Sequence, residues 1–291
     1  MLMCKFSVFF SLVCTAYTHK RRIHNGTAAE KGAYPYQVCL RNSDSKIPFC
    51  GGSIINEFYV LTAGHCVEDI VIVNLPPRIV EVVVGATNFN DSTARYYPAQ
   101  KFILHENYEH FFSPHIYAVN DIALIQIDGP IEFTPFISPI KLPSPGYRVE
   151  GKTQVIITGW GRFSDHDMNI PATLQAVNLT VVDLKTCKAK WSDRAINIDD
   201  RMICVAGSVQ EYGQTQHDAG CCLGDSGGPA VEGHVLIGVI SSANSCIDSY
   251  RYPHILMNVS HYLPWIQGRL TKKKSVWQQT RNFFKDLLFH D

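Results

Sequence analysis

Cys222-Leu223-Gly224-Asp225-Ser226-Gly227-Gly228-Pro229 sets the terms for the rest of the chain. A serine between glycines is common in loops, but a serine in Gly-Asp-Ser-Gly-Gly-Pro, directly after a cysteine, is not. Glycines on both sides let the backbone take positive φ and approach a substrate closely. They leave the N–H groups of Gly224 and Ser226 to point into one small space, where they would hold the negative charge that grows on a carbonyl oxygen as it becomes tetrahedral. Ser226 Oγ is then the candidate nucleophile. A serine hydroxyl attacks poorly unless a base takes its proton, so the remaining chain has to supply a histidine and a group to orient it.

Both stand upstream. Leu61-Thr62-Ala63-Gly64-His65-Cys66 ends an apolar run and places His65 at a strand end beside a cysteine. Asn120-Asp121-Ile122-Ala123-Leu124-Ile125 puts an acid at the start of another apolar strand. Each signal alone is weak: the chain has 12 histidines, and an aspartate in that position also serves as a cap. Their weight is joint. The order His65, Asp121, Ser226 is that of the chymotrypsin-type triad and differs from the orders in subtilisins and α/β-hydrolases. On these three motifs the sequence resembles the trypsin/chymotrypsin-like serine peptidases from about Ile23 to about Gln267, and more loosely the secreted arthropod members, including those of mites.

The rest of the chain is read alongside that resemblance. Charged residues make up 18% with a formal net charge of +0, which argues against a nucleic-acid partner, and an apolar fraction of 46% suffices for a sizeable core. Met1-Leu2-Met3-Cys4-Lys5, the apolar run Phe6 to Val13 and the small residues near Ala16 read as a secretory signal over 1–16. The run is too short to span a membrane, so a secreted, extracellular protein is expected. Gln37 to Leu40, Gly51 to Ile55, Ile79 to Val84, Ile122 to Ile127, Gln154 to Ile157 and Val235 to Ser241 are β-branched or apolar runs between turn residues. The predicted fold is all-β: two antiparallel six-stranded barrels with the active site between them and a C-terminal helix. The peptidase domain spans 23–270. The barrel boundary falls near 138–146, where Pro139, Pro143 and Pro145 interrupt regular structure. Val67 to Pro77 and Glu106 to Asn120 look like longer loops flanking the cleft, the second carrying His110, Phe111, Phe112, His115 and Tyr117.

Ten cysteines in a secreted chain suggest disulfides. The resemblance implies Cys50–Cys66, Cys187–Cys204 and Cys222–Cys246. Cys4 and Cys14 leave with the signal, so Cys39 and Cys221 remain with three fates open: pairing with each other, staying free, or competing with Cys222. No metal site is expected. No two cysteine pairs have zinc-ligand spacing, and Gly85-Ala86-Thr87-Asn88 lacks the acidic ligands of the family's calcium loop. The resemblance also implies a short activation propeptide, 17–22, cut after Arg22. The new Ile23 α-amino group would then pair with Asp225. Asn25-Gly26-Thr27 is a glycosylation sequon, and a glycan there would hinder that insertion.

The specificity segments depart from the family pattern. The pocket floor falls on Gly220 when counted back from Cys222, or on Asp218 with a two-residue insertion. Ile240-Ser241-Ser242-Ala243 stands for the usual Val-Ser-Trp-Gly; Ser241 matches the serine that supports the triad acid, while Ser242 replaces a wall tryptophan and Ala243 a glycine. In Pro253-His254-Ile255-Leu256, His254 occupies the place of a glycine that keeps the pocket open. An imidazole there would fill the pocket or charge it at low pH.

The expected function is therefore a secreted, monomeric serine endopeptidase. It would be made as a zymogen, need no cofactor, and act on protein or peptide substrates after an activating protease has cut it. The rival is a weakly active or inactive protease-fold binding protein with an occluded pocket. Beyond Gln267 the resemblance fades. Val276, Trp277, Thr280, Phe283, Phe284, Leu287 and Leu288 form one face of an amphipathic extension over 271–291. It would pack on the barrel, or dock on a membrane surface or partner groove.

Overall fold

A computed structural model describes residues 26–111, 117–162, 169–194, 196–207, 210–212, 215–217, 219–242, 245–246 and 248–270. The signal and propeptide segments, Arg22, Ile23, Asn25, Phe112, His115, Asp218, Ala243 and the extension 271–291 lie outside the described residues.

The strands follow in order: β1 Thr27–Ala28, β2 Gln37–Asn42, β3 Pro48–Asn56, β4 Tyr59–Thr62, β5 Val80–Val84, β6 Arg95–Leu104, β7 Glu109–Phe111, β8 Tyr117–Val119 and β9 Ala123–Ile127. After a strand-free stretch come β10 Gln154–Gly159, β11 Gln175–Val182, β12 Met202–Ala206, β13 Gln210–Tyr212, β14 Thr215–His217, β15 Pro229–Glu232, β16 Val235–Ser242 and β17 His254–Asn258. Helices are few: α1 Glu68–Ile72, α2 Leu184–Lys190 and a C-terminal α3 over 259–270.

Strands β2, β3, β4, β9, β6 and β5 close into one antiparallel barrel. Strands β11, β10, β15, β16, β17 and β12 form the second, closed by the β11–β12 pairing. Closure removes the open edges of the six strands in each barrel. The β-branched runs supply the walls; Val80-Glu81-Val82-Val83-Val84, for example, is buried at every position but Glu81. β1 adds to the outside of the second barrel through Thr27↔Ala176, so the first described residues return to the distal half of the chain.

The two barrels meet backbone to backbone. Gly51 N–H on β3 donates to the Ser226 carbonyl at 2.7 Å, and Thr158 Oγ1 on β10 donates to Gln37 Oε1 on β2 at 2.5 Å. Disulfides Cys50–Cys66, Cys187–Cys204 and Cys222–Cys246 are formed, each worth about 3 kcal/mol for loops of this length. Cys39 and Cys221 are buried free thiols in separate core clusters, which removes pairing between them. Burial pushes the Cys39 thiol up to about 12 and Cys221 well above its ordinary value, so both are inert at neutral pH.

Two expectations need correction. Val67 to Pro77 is not a plain loop: it holds α1 and a single 3-10 turn, Pro77–Ile79, and that turn takes Ile79 out of the strand expected to start there. Glu106 to Asn120 contains paired strands, with Glu109↔Val119 and Phe111↔Tyr117 in register. The Phe111 and Tyr117 rings stack at 4.8 Å.

Candidate active site

Asp121 sits at the entry to β9 with no exposed surface. A buried carboxylate has to be satisfied by donors, and three converge on it. His65 N–H donates to Oδ1 at 2.8 Å, His65 Nδ1 meets Oδ2 at 2.8 Å, and Ser241 Oγ donates to Oδ2 at 2.6 Å. Burial alone would raise the Asp121 pKa; the His65 charge and these bonds outweigh it and hold the carboxyl below its usual range. Burial likewise lowers His65, but the Asp121 charge and bond, with help from Glu68, leave the imidazole raised above its ordinary value. With Nδ1 committed to Asp121, Nε2 is the nitrogen left to exchange a proton, and the side chain remains 25% exposed.

Ser241 reaches Asp121 from the second barrel because the β16–β17 register shifts between Ile240 and Ser242. A bulge re-aims the side chain it carries. The residue before Asp121 is also unusual: Asn120 has φ 51, the left-handed region that asparagine tolerates best after glycine. Its Nδ2 donates to Asn107 O at 2.6 Å, and its Oδ1 accepts from Tyr262 of α3 at 3.0 Å.

Ser226 is half-buried on a loop seated against the first barrel. Gly227 has φ 76, and a Cβ there would lie 2.2 Å from Thr62 Oγ1 and 3.1 Å from Ala63 N. Only glycine permits that approach, which lays the Ser226 loop on the strand end leading into His65. Within the loop, Asp225, Gly227 and Gly228 donate their N–H groups to Cys222, Ile240 and Asp225 carbonyls. Among the described residues the Gly224 and Ser226 N–H groups donate to no protein acceptor, the pattern an oxyanion hole requires.

Asp225 points the other way, into the second barrel. Its carboxylate accepts from Gly161 N at 2.7 Å and Cys222 N at 2.8 Å. A Cβ on Gly161 would meet Asp225 Oδ2 at 2.4 Å. Burial drives the Asp225 pKa up to about 7 against those two bonds, and among the described residues it has no cationic partner.

Of the pocket candidates, Gly220 and His254 are brought together. A Cβ on Gly220 would lie 2.2 Å from His254 Nε2, and the imidazole has no exposed surface. Ser242 pairs with Ile255 beside it. Cys50, His65 and Cys66 also cluster with ligating atoms within 4.8 Å, but the two sulfurs are bonded to each other and cannot serve a metal.

Three residues with no motif of their own join this region. Glu68 Oε2 accepts from Tyr108 Oη at 2.8 Å and meets His110 Nδ1 at 2.7 Å. Sequence carries no signal for Glu68, since the contact spans two loops whose conformations only the fold supplies.

Closed antiparallel barrels meeting over such a loop define the class: chymotrypsin-fold serine peptidases. Comparison with known proteins agrees, and the chain belongs to the trypsin family, whose model matches residues 23–266. Trypsin Blo t 3 of Blomia tropicalis is 36% identical over 248 residues, covering 85% of this chain and 85% of its own length. Chymotrypsin-2 of Vespa crabro is 36% identical over 246 residues, covering 84% and 98%. Trypsin-1 of Astacus astacus is 34% identical over 254 residues, covering 84% and 99%. The family makes this chain a serine endopeptidase. Among the described residues no helix is long and apolar enough to cross a membrane.

Proposed function

We propose that the protein is a secreted endopeptidase, made as a zymogen, in which His65, Asp121 and Ser226 perform acyl transfer. The observation that carries this reading is the fully buried Asp121 bonded to His65, with the Ser226 loop packed on the strand end that leads into His65 and its Gly224 and Ser226 N–H groups uncommitted among the described residues. Ser226 Oγ bonds to the scissile carbonyl carbon while its proton passes to His65 Nε2. The carbonyl oxygen takes the negative charge and rests on the two N–H groups, each worth about 2.7–4 kcal/mol to the barrier. Asp121 holds the tautomer and stabilises the imidazolium. The C–N bond then breaks, the His65 proton leaves on the amine, and water repeats the sequence to release the acyl group from Ser226.

Activation is assigned to cleavage after Arg22, by a separate protease, with the freed Ile23 amine pairing with Asp225. Support comes from a carboxylate that is wholly buried and, among the described residues, accepts from two N–H donors and meets no cation; an unpaired buried charge costs about 3–5 kcal/mol.

A second reading, a protease-fold binding protein that cleaves little, is favoured by one observation: the His254 ring lies against Gly220 at the pocket floor. Catalysis needs a substrate side chain seated well enough to align the reacting atoms. A fluorophosphonate probe separates the two. Labelling of the cut protein, lost in Ser226→Ala with the fold retained, is expected of the enzyme. Absence of labelling in the cut wild-type protein favours the binder. The extension 271–291 is assigned to a surface role, on the barrel or on a membrane.

A further inference from the structure

The Val67 N–H donates to Gly64 O at 3.0 Å, closing a turn around His65 and setting Glu68 at the head of α1, three residues on. Glu68 does not face water: its side chain is 15% exposed and His110's is 16%. One carboxylate oxygen, Oε2, takes both Tyr108 Oη and His110 Nδ1. The Tyr108 ring lies over the backbone that carries His65. A Cβ on Gly64 would meet Tyr108 Cδ2 at 2.8 Å and Leu104 Cδ1 at 2.9 Å. Glu68, Tyr108 and His110 thus form a bracket from α1 to β7 around the turn that presents the imidazole.

We propose that Glu68 is a positioning residue for His65: a second carboxylate, held in place by Tyr108 and His110, that fixes the cleft wall and stabilises the imidazolium formed when His65 takes the proton of Ser226. The inference rests on the assignment of His65 as that base. A charge near a titrating group favours its oppositely charged form, and Glu68 adds to Asp121 in raising His65. Among the described residues the other ionisable groups on this region are Asp69 next to Glu68 on α1, Tyr108 and His110 before and on β7, and Asp121 at β9. Of these, Asp121 alone bonds to His65; Glu68 acts across the turn. A partly buried charge escapes much of the screening that silences surface carboxylates.

The test is Glu68→Gln, which keeps shape and acceptor and removes the charge. In the cut protein, the acid limb of kcat/KM on a peptide substrate moves to lower pH, because His65 gives up its proton more readily. The plateau falls by less than about tenfold, since the triad is untouched. Glu68→Asp, which restores the charge, moves the limb back toward the wild-type position; a purely structural contact predicts no such return. NMR titration of the His65 ring, identified by its loss in His65→Gln, reads the same shift without needing turnover, so a failure of the enzyme reading is distinguishable from a failure of this one. If Glu68→Gln does not fold, the double variant Tyr108→Phe, His110→Gln releases the carboxylate from the bracket and is expected to lower the His65 titration as well. A His65 titration unchanged in whichever of these variants folds overturns the proposal.

Discussion

At the scale of single residues, Asp225 and His254 carry the sharpest consequences. Asp225 keeps its proton up to about pH 7 when folded, against an ordinary value of 3.8. Between those values the folded chain holds more protons than the unfolded one, so raising the pH across this window costs stability. The uncut protein is expected to show a Tm that falls through this range. After cleavage at Arg22, the Ile23 amine favours the ionised form and the fall should vanish. Parallel Tm curves for cut and uncut protein would remove the pairing. His254→Gly vacates the space against Gly220 and is expected to raise kcat/KM on small peptides about tenfold or more, the scale of a substrate side chain finding its pocket. An unchanged specificity constant would show that the ring does not block binding. His65, Asp121 and Ser226 were legible because short motifs and their order carry them. Glu68 was not legible, because nothing near it in sequence announces a partner 40 residues away.

At the scale of elements, α3 is tied to the segment bearing Asp121. Trp265 Nε1 and Arg269 both bond to Glu106, and Tyr262 Oη donates to Asn120, whose left-handed backbone sets the direction of the next residue. Tyr262→Phe removes that bond at about 1 kcal/mol, a Tm loss of about 2–4 °C for a chain of this size. The expected kinetic mark is a kcat that falls more than KM rises, since Asp121 is disturbed and the substrate surface is not. A Tm loss with unaltered kcat would confine Tyr262 to packing. The apolar runs foretold β2, β3, β9, β10 and β16 well. β6 and β11 were harder to see, because Arg95, Gln100, Lys101, Asn178 and Thr180 break the apolar run wherever a strand faces outward. The bulge at Ser241 also has no local sequence cue. It follows from how β16 must pair with β17 while still meeting the first barrel.

At the scale of the molecule, the three segments of the site come from two barrels. Removing residues 271–291 is expected to leave peptide cleavage within about a few-fold of the full chain, because His65, Asp121, Ser226 and Gly224 all lie in earlier segments. A large loss in a truncated but folded protein would mean that the extension reaches the cleft.

The bond from Gly51 N–H to the Ser226 carbonyl gives the protein a built-in gauge of alignment. Each barrel closes on itself, although one apolar core runs through both and holds Val60 and Ile125 together with Val239 and Met257, so a slight slip of one barrel on the other would leave circular dichroism nearly intact. It would nevertheless lift Ser226 away from the strand end that presents His65. In rising denaturant, inactivation should therefore run ahead of the loss of β-structure, and turnover would report how far one barrel has slipped against the other.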